Sequence, residues 1–449
     1  MAVSPARAAA FEILLRIERD QAYATELLHS AAYAKLAPVD HGLATEIVMG
    51  VLRWRSLLDG HIDDASSQKH ARLDVEVLTA LRMGAYQLGF LSRVPSRAAI
   101  YESVELVKAA RKRSAAPFAN AVLRTIDKSA KDRGASSALE AIRGSLDAGA
   151  VALNSAHPQW LVDRWTARYG LENARRICAY DQSVPSTTIH LRAGAVAGDL
   201  AGTVELAPGS TVSCARKVIA GDVAKLRTFA PGSFSIQDEG SQLVALLAGH
   251  GEKILDCCAA PGGKSRLLAW RNPRAKVYAL ELHPHRARLL KKLADLPNLR
   301  IIGGDARSLP FSTTFDLILT DVPCSGTGTL ARNPEIKWSL KPADLDDLKQ
   351  RQVAILKSAL GHLSRGGRLV YSTCSLEPEE NEAVVDAALC GEKEFQLIEC
   401  RAELERLRKA GNVCAADLGS LVDGPYLRTL PGLHECDGFF AAMITRKSA

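Results

Sequence analysis

At 449 residues, 47% of them hydrophobic, the chain has apolar material for about three domains of roughly 150 residues each. Its formal net charge of +7 is mild: it suits a polyanionic partner but is also common without one. Arg7, Glu12 and Arg16 interrupt the first apolar pattern, which excludes a signal-peptide core, and no later segment approaches a membrane span. A cytoplasmic protein with no membrane partner is expected. Ten cysteines without a regular framework point to reduced thiols, and the absence of a C-x-x-C pair argues against zinc.

From Pro5 to about residue 150 apolar residues recur at helical spacing, as in Phe11–Ile17 and Ile47–Trp54, and predict an all-α domain over 1–150. Asp40 is the expected N-cap of the helix carrying Trp54, and Pro95 with Ser96 starts another helix that ends in Lys108, Arg111, Lys112 and Arg113. Those basic residues read equally as a solvated helix end and as an RNA contact. A small mixed connector is expected over 151–231, where Pro158, Pro185 and Pro208 break helices and Thr187–Arg192 alternates like a strand. His157 and Trp160 in Ser155–Trp160 are expected to be structural.

From 232 to 449 short apolar runs alternate with helical patterns, the rhythm of a parallel sheet flanked by helices, and so of an α/β fold. Strands are predicted at Lys253–Asp256, Lys276–Glu281, Leu299–Ile302, Phe315–Asp321, Arg368–Thr373 and Phe439–Thr445. Helices are predicted at Lys264–Trp270, Pro284–Leu293, Pro342–Leu363 and Pro378–Leu389, the last three with proline in the first turn.

The first of these strands runs into Ile254–Ser265, ILDCCAAPGGKS, a small-residue loop through which backbone can approach a ligand closely. A phosphate-binding loop would need glycine at position 258, which is Cys258, so a P-loop NTPase is disfavoured. A nucleoside cofactor with a charged amino-acid tail competes with it, and gains from acids at three successive strand ends, Glu281, Asp305 and Asp321. A carboxylate at such an end can accept ribose hydroxyls. Asp321 opens a stretch, Asp321–Gly328 or DVPCSGTG, that holds Cys324, and the strand ending at Thr373 runs into Cys374. Both thiols are therefore expected at strand ends, where open α/β sheets bind ligands.

These motifs, with Arg332–Trp338 (RNPEIKW), Tyr371–Ser375 (YSTCS), Gln237–Gln242 and Asp437–Phe440, resemble the ordered motifs of the RNA cytosine-5 methyltransferases of the RsmB/Sun type in the NOP2/NSUN family. Arg82–Gln87 and Pro117–Arg124 resemble the NusB-like helical domain that precedes some bacterial members. The resemblance implies a Rossmann-like, class I methyltransferase domain that uses S-adenosylmethionine. Cofactor contacts would come from Cys258, Ala259, Ala260, Pro261, Gly262, Gly263, Lys264, Glu281, Asp305 and Asp321. Glu281 stands where Asp is usual, Ser265 where Thr is usual and Cys436 where Thr is common; the longer arm of Glu281 puts the ribose contact in question.

The resemblance further implies that Cys374 attacks cytosine C6, that Cys324 assists removal of the C5 proton and release, and that Asp321 bonds N3 with Lys264 nearby. Covalent attack makes C5 enamine-like and splits a hard step into easier ones. Cys178, Cys214, Cys390, Cys400 and Cys414 are expected to be inert buried packing. The substrate implied is small-subunit (16S) ribosomal RNA, with transfer RNA open, presented as a splayed base. Arg332, Lys337 and Trp338 are placed to touch the neighbouring strand, Trp338 alternatively packing the next helix. A noncatalytic RNA-binding assembly factor is the competing class, though Asp321, Cys324, Lys264 and Cys374 standing together argue against it. Nothing demands more than a monomer.

Overall fold

The computed structural model describes residues 3–20, 22–129, 134–192, 194, 204–221, 223, 232–294 and 296–448. The connector's expected boundary at 231 lies outside the described residues. Two compact units form: Met1–Val184 with Leu330–Leu340, and Pro185–Thr329 with Lys341–Ala449.

The first unit is helical throughout its regular structure, including Pro5–Asp20, Pro38–Arg53, Val75–Phe90, Ser96–Ala109, Ala116–Ser129 and, beyond residue 150, Gln159–Tyr169 and Leu171–Asp181. The spacing read as helical buries one face of each, with Ile13, Ile47, Leu81, Leu123 and Trp165 almost fully removed from water. Asp40 is not the cap of its helix: Pro38 occupies the first turn after Ala37, and Asp40 lies inside that turn, where its charge still complements the dipole. Lys108 does lie in the last turn of Ser96–Ala109, while Arg111, Lys112 and Arg113 follow the helix end. Arg82 reaches Asp59 with two nitrogens, Nε to Oδ1 at 2.7 Å and Nη2 to Oδ2 at 2.8 Å, both side chains buried. A bidentate pair of this kind supplies the partner that a buried charge requires.

The second unit begins with a small antiparallel sheet of β1 (Thr188–Leu191), β2 (Val204–Pro208), β3 (Ala215–Gly221) and β4 (Phe234–Ile236), in the order β2-β3-β1-β4. All four residues of β1 are buried rather than alternate ones. A second sheet follows, built from β5 (Lys253–Asp256), β6 (Lys276–Glu281), β7 (Leu299–Gly303), β8 (Phe315–Asp321), β9 (Leu363–Thr373), β10 (Phe395–Ile398), β11 (Val422–Asp423), β12 (Tyr426–Thr429) and β13 (Phe439–Arg446). Its order is β11-β12-β13-β9-β8-β5-β6-β7, with β10 on β13. Strands β5 to β9 pair in parallel and β13 runs antiparallel to β9.

Successive residues of β5 and β8 enter opposite cores. Ile254, Leu317 and Leu319 pack with Leu243, Leu247 and Leu268 on one face, whereas Leu255 and Ile318 pack with Leu356, Leu360 and Val384 on the other. A strand buried on both faces reads as an unbroken apolar run, which is why Phe315–Thr320 carries no alternation. Helices Gly263–Arg271, Pro284–Leu293, Asp344–Gly361 and Glu382–Leu389 connect the strands. Only Pro284 lies in a first turn as expected; Pro342 and Pro378 precede their helices. The chain leaves β5 toward β6 and β7, then returns across it to β8, so the direction reverses between β5 and β8. A crevice beyond the carboxyl ends of those two strands is the consequence.

Candidate active site

Asp321 ends β8 directly opposite Ser372 of β9. Ser372 Oγ donates to Asp321 Oδ1 at 2.7 Å, and Lys264 Nζ donates to Oδ2 at 2.7 Å. Lys264 also lies 4.8 Å from the ring centre of Phe439, an arrangement that favours a cation. Both oxygens of the carboxylate are thereby aimed and held.

Just beyond these strand ends the two loops meet. Cys324 Sγ lies 3.3 Å from Cys374 Sγ, and both residues are half-buried. Gly328 N donates to Cys374 O at 2.9 Å, while Gly438 N donates to Gly328 O at 2.7 Å. A Cβ on Gly328 would stand 2.3 Å from the Gly438 carbonyl oxygen, so this close crossing of three backbones admits no side chain. The contact with Cys374 and the water-poor surroundings hold the Cys324 thiol well above its ordinary range. A thiol kept protonated is a poor nucleophile.

On the other side of β5, the loop Cys257–Gly262 turns over the sheet edge. Cys257 N donates to Leu319 O and Ala259 N to Leu280 O, both at 2.9 Å. Gly262 adopts φ +110° and opens the helix Gly263–Arg271, a conformation that side chains rarely adopt. Glu281 approaches the same loop, with Ala260 N at 3.4 Å from Oε2, while His283 N donates to Oε1 at 2.8 Å. Asp305 follows β7, next to Glu281 through the Gly304 N to Glu281 O bond of 3.1 Å. Its carboxylate is taken by Arg307, Nη2 to Oδ2 at 2.6 Å, and that pairing depresses its pKa.

Lys264, Asp321, Cys324 and Cys374 thus converge at one pair of strand ends, and Cys258 to Gly263, Glu281 and Asp305 converge at the adjacent ones. Sequence reasoning overlooked Asp256: it is buried, accepts from Ser265 Oγ at 2.6 Å, and burial raises its pKa to about 6. It also overlooked Glu380 and Gln352, which lie behind the thiols with Gln352 Nε2 donating to Glu380 Oε1 at 2.9 Å. The run Pro378–Glu382 reads as a charged helix start, and nothing local marks Glu380 as buried.

Several expected contacts are corrected. Lys337 does not face an RNA strand: it is 1% exposed within the first unit, where Nζ donates to Arg53 O at 2.8 Å and Ala156 O at 3.1 Å. Desolvation lowers its pKa to about 7. Trp338 Nε1 donates to Leu52 O at 2.7 Å, so it packs on the helices of this unit. His157 is structural, buried with its Nε2 3.3 Å from Asp181 Oδ2. Of the cysteines taken for buried packing, Cys178 and Cys400 are buried, but Cys390 and Cys414 are exposed. Within Gln237–Gln242, Glu239 accepts from Thr211 N at 2.8 Å and Val212 N at 3.0 Å, and Gln242 pairs with His190, a scaffold rather than a reacting group.

A doubly wound parallel sheet closed by an antiparallel strand, a glycine-rich turn after its central strand and acids at successive strand ends define a Rossmann-like methyltransferase domain. A family model described as "16S rRNA methyltransferase RsmB/F" matches residues 243–445, and one described as "NusB family" matches residues 4–128. A curated relative from Bacillus subtilis (strain 168), "Probable ribosomal RNA small subunit methyltransferase B", is 34% identical over 98% of this chain and 98% of its own. The "Ribosomal RNA small subunit methyltransferase B" of Vibrio cholerae serotype O1 is 32% identical over 93% of this chain and 92% of its own. The crystal structure of PH0851 shares the fold, with a TM-score of 0.78, 21% identity, and 99% of this chain and 100% of that one covered. The chain belongs to the RsmB/F family of ribosomal RNA methyltransferases, S-adenosylmethionine-dependent enzymes acting at cytosine C5, and carries the NusB region at its amino-terminal end. Among the described residues no helix is long and apolar enough to cross a membrane.

Proposed function

We propose that this enzyme forms 5-methylcytidine in 16S ribosomal RNA through covalent catalysis by two thiols. The observation that carries the reading is the 3.3 Å approach of Cys324 and Cys374 beside the clamped Asp321–Lys264 pair. Cys374 attacks C6 of the cytosine as a thiolate, and Asp321 holds the base edge at N3 so that electron density moves toward C5. When bound, S-adenosylmethionine would supply the methyl group for that carbon. Cys324 assists removal of the C5 proton, after which the Cys374–C6 bond breaks and the ring double bond re-forms.

The cofactor pocket is assigned to Cys258, Ala259, Ala260, Pro261, Gly262, Gly263, Lys264, Glu281, Asp305 and Asp321. Its donor set suits a nucleoside with a cationic tail: Glu281 reaches the loop at Ala260, and the backbone turns close over β5. Asp305 is the weakest member because Arg307 already occupies it. A cytosine must leave its stack to lie between the thiols and the cofactor. The helical region 1–150 is assigned to RNA binding and 232–449 to catalysis, joined by the segment 151–231.

The test uses tritiated S-adenosylmethionine and undermethylated small-subunit RNA. Cys324→Ala is expected to accumulate an RNA adduct that survives denaturing electrophoresis, and Cys374→Ala to form none. Adducts in the opposite pattern would exchange the two roles. Undiminished methyl transfer by both variants would sink the mechanism, and transfer confined to tRNA would replace the substrate.

A further inference from the structure

The side chain that joins the two thiol loops is a carboxylate outside the catalytic group. Glu380 is 0% exposed. Its Oε1 accepts from Ser325 N at 2.8 Å and from Gln352 Nε2 at 2.9 Å, and its Oε2 accepts from Ser375 Oγ at 2.5 Å and from Ser325 Oγ. Ser325 follows Cys324 in the chain, and Ser375 follows Cys374. One buried carboxylate therefore grips both residues immediately after the two thiols.

Every acceptor position is engaged, since a carboxylate offers about four lone-pair sites and four donors reach it. Gln352 extends the grip, its Nε2 also donating to Pro323 O at 2.9 Å on the other side of Cys324. The carboxylate's own backbone is fixed by Tyr371 OH, which donates to Glu380 O at 2.6 Å from within β9. Next to it Asn381 accepts from Thr373 Oγ1 at 2.5 Å and donates to Ser375 O at 2.9 Å. These bonds tie the turn Pro378–Asn381 to the end of β9 and then to the loop after β8.

We infer that Glu380 is a positioning residue that sets the separation of the Cys324 and Cys374 sulfurs. A carboxylate suits this task because ionised acceptors make shorter and stronger hydrogen bonds than neutral ones. It gathers donors from both loops onto the two oxygens of one carboxylate, so a shift of either loop is felt by the other. The inference rests on Cys374 and Cys324 being the reacting groups. It adds a cause for their spacing that neither cysteine motif contains.

The variants are Glu380→Ala and Glu380→Gln, assayed beside Cys374→Ala in the full chain. Glu380→Ala removes the shared acceptor of both loops: Gln352 Nε2 keeps Pro323 O, the Ser325 and Ser375 hydroxyls keep each other at 3.0 Å, and Ser325 N loses its partner. It is expected to bind S-adenosylhomocysteine within about twofold of wild type, since no cofactor residue is touched, while kcat falls roughly 100-fold, as misplaced reacting groups do. Denaturant-stable adduct per methyl transferred should rise, because release depends on Cys324 standing beside the Cys374–C6 bond. Glu380→Gln keeps an oxygen for Ser325 N and Gln352 but turns an amide toward the two hydroxyls, and should recover part of kcat. If Glu380→Ala does not fold, Ser375→Ala removes one donor and leaves three, with an expected loss of about tenfold and the same rise in adduct. Wild-type kcat and wild-type adduct yield in Glu380→Gln and Ser375→Ala, or losses that follow only the folded fraction and S-adenosylhomocysteine binding, would overturn the assignment. Continued methyl transfer by Cys374→Ala would instead overturn the two-thiol reading itself.

Discussion

Replacing Lys337 by methionine removes the most deeply buried cation among the described residues of the helical unit. Two backbone carbonyls receive its ammonium, which lies 5.4 Å from the ring centre of Trp338, and desolvation brings its pKa from 10.5 to about 7. At about 1.4 kcal/mol per unit of pKa, keeping the charge buried costs on the order of 4 to 5 kcal/mol. The sign follows from proton counting. Below pH 7 both folded and unfolded chains hold the proton, and the cost is fully present. Between pH 7 and 10.5 the unfolded chain holds more protons than the folded one, so stability rises with pH, by at most about 1.4 kcal/mol per pH unit.

Lys337→Met has no such proton, although it takes a donor from Ala156 O and leaves Arg53 O with Gln182 Nε2 at 2.9 Å, a loss of about 1–3 kcal/mol that does not vary with pH. Stability measured by urea unfolding at pH 6, 7, 8, 9 and 10 should therefore favour the variant progressively less as pH rises. Trp54, Trp160, Trp165 and Trp338 place fluorescence reporters in this unit. Parallel stability curves for the two proteins from pH 7 to 10 would refute the reasoning, because they would show an ordinary ammonium at Lys337.

Gly328→Ala is expected to lower methyl transfer by about 100-fold, because its Cβ would lie 2.3 Å from Gly438 O and 2.9 Å from Cys374 O; unchanged kcat would show that the crossing can open. Asp256→Asn should gain stability relative to wild type as pH rises from 3.8 to about 6, then hold level. Over that window wild type loses stability, because its folded carboxyl keeps a proton that the unfolded chain releases, by up to roughly 3 kcal/mol. Thermal melts at pH 4 and pH 8 would check it, and an equal offset at both would count against a raised Asp256.

Much of the catalytic domain is legible because its signals are local. The apolar runs at Lys253–Asp256, Lys276–Glu281 and Phe315–Asp321 match β5, β6 and β8 residue for residue, since strand length and turn chemistry are written in consecutive side chains. Both cysteines were readable as strand-end thiols for the same reason. Helix starts were read less well. Pro342 and Pro378 are good first-turn residues, but the backbone there is held in turns: Asn381, for example, is held by Thr373 and Ser375 across the loop, and the helix begins only at Glu382.

What the amino-acid sequence determined by itself is the order of elements, the doubly buried strands and the residues able to react, all consequences of spacing within a few positions. Tertiary structure alone decided which side chains reach each other from afar. Glu380 reads as one acid in a charged helix start and becomes a buried clamp because Ser325, 55 positions earlier, brings two donors to it. Lys337 reads as a contact to the neighbouring RNA strand just after the DVPCSGTG loop and becomes a buried cation because Arg53, 284 positions earlier, offers its carbonyl. Burial and pairing depend on atoms supplied by distant segments, and no local pattern encodes their arrival.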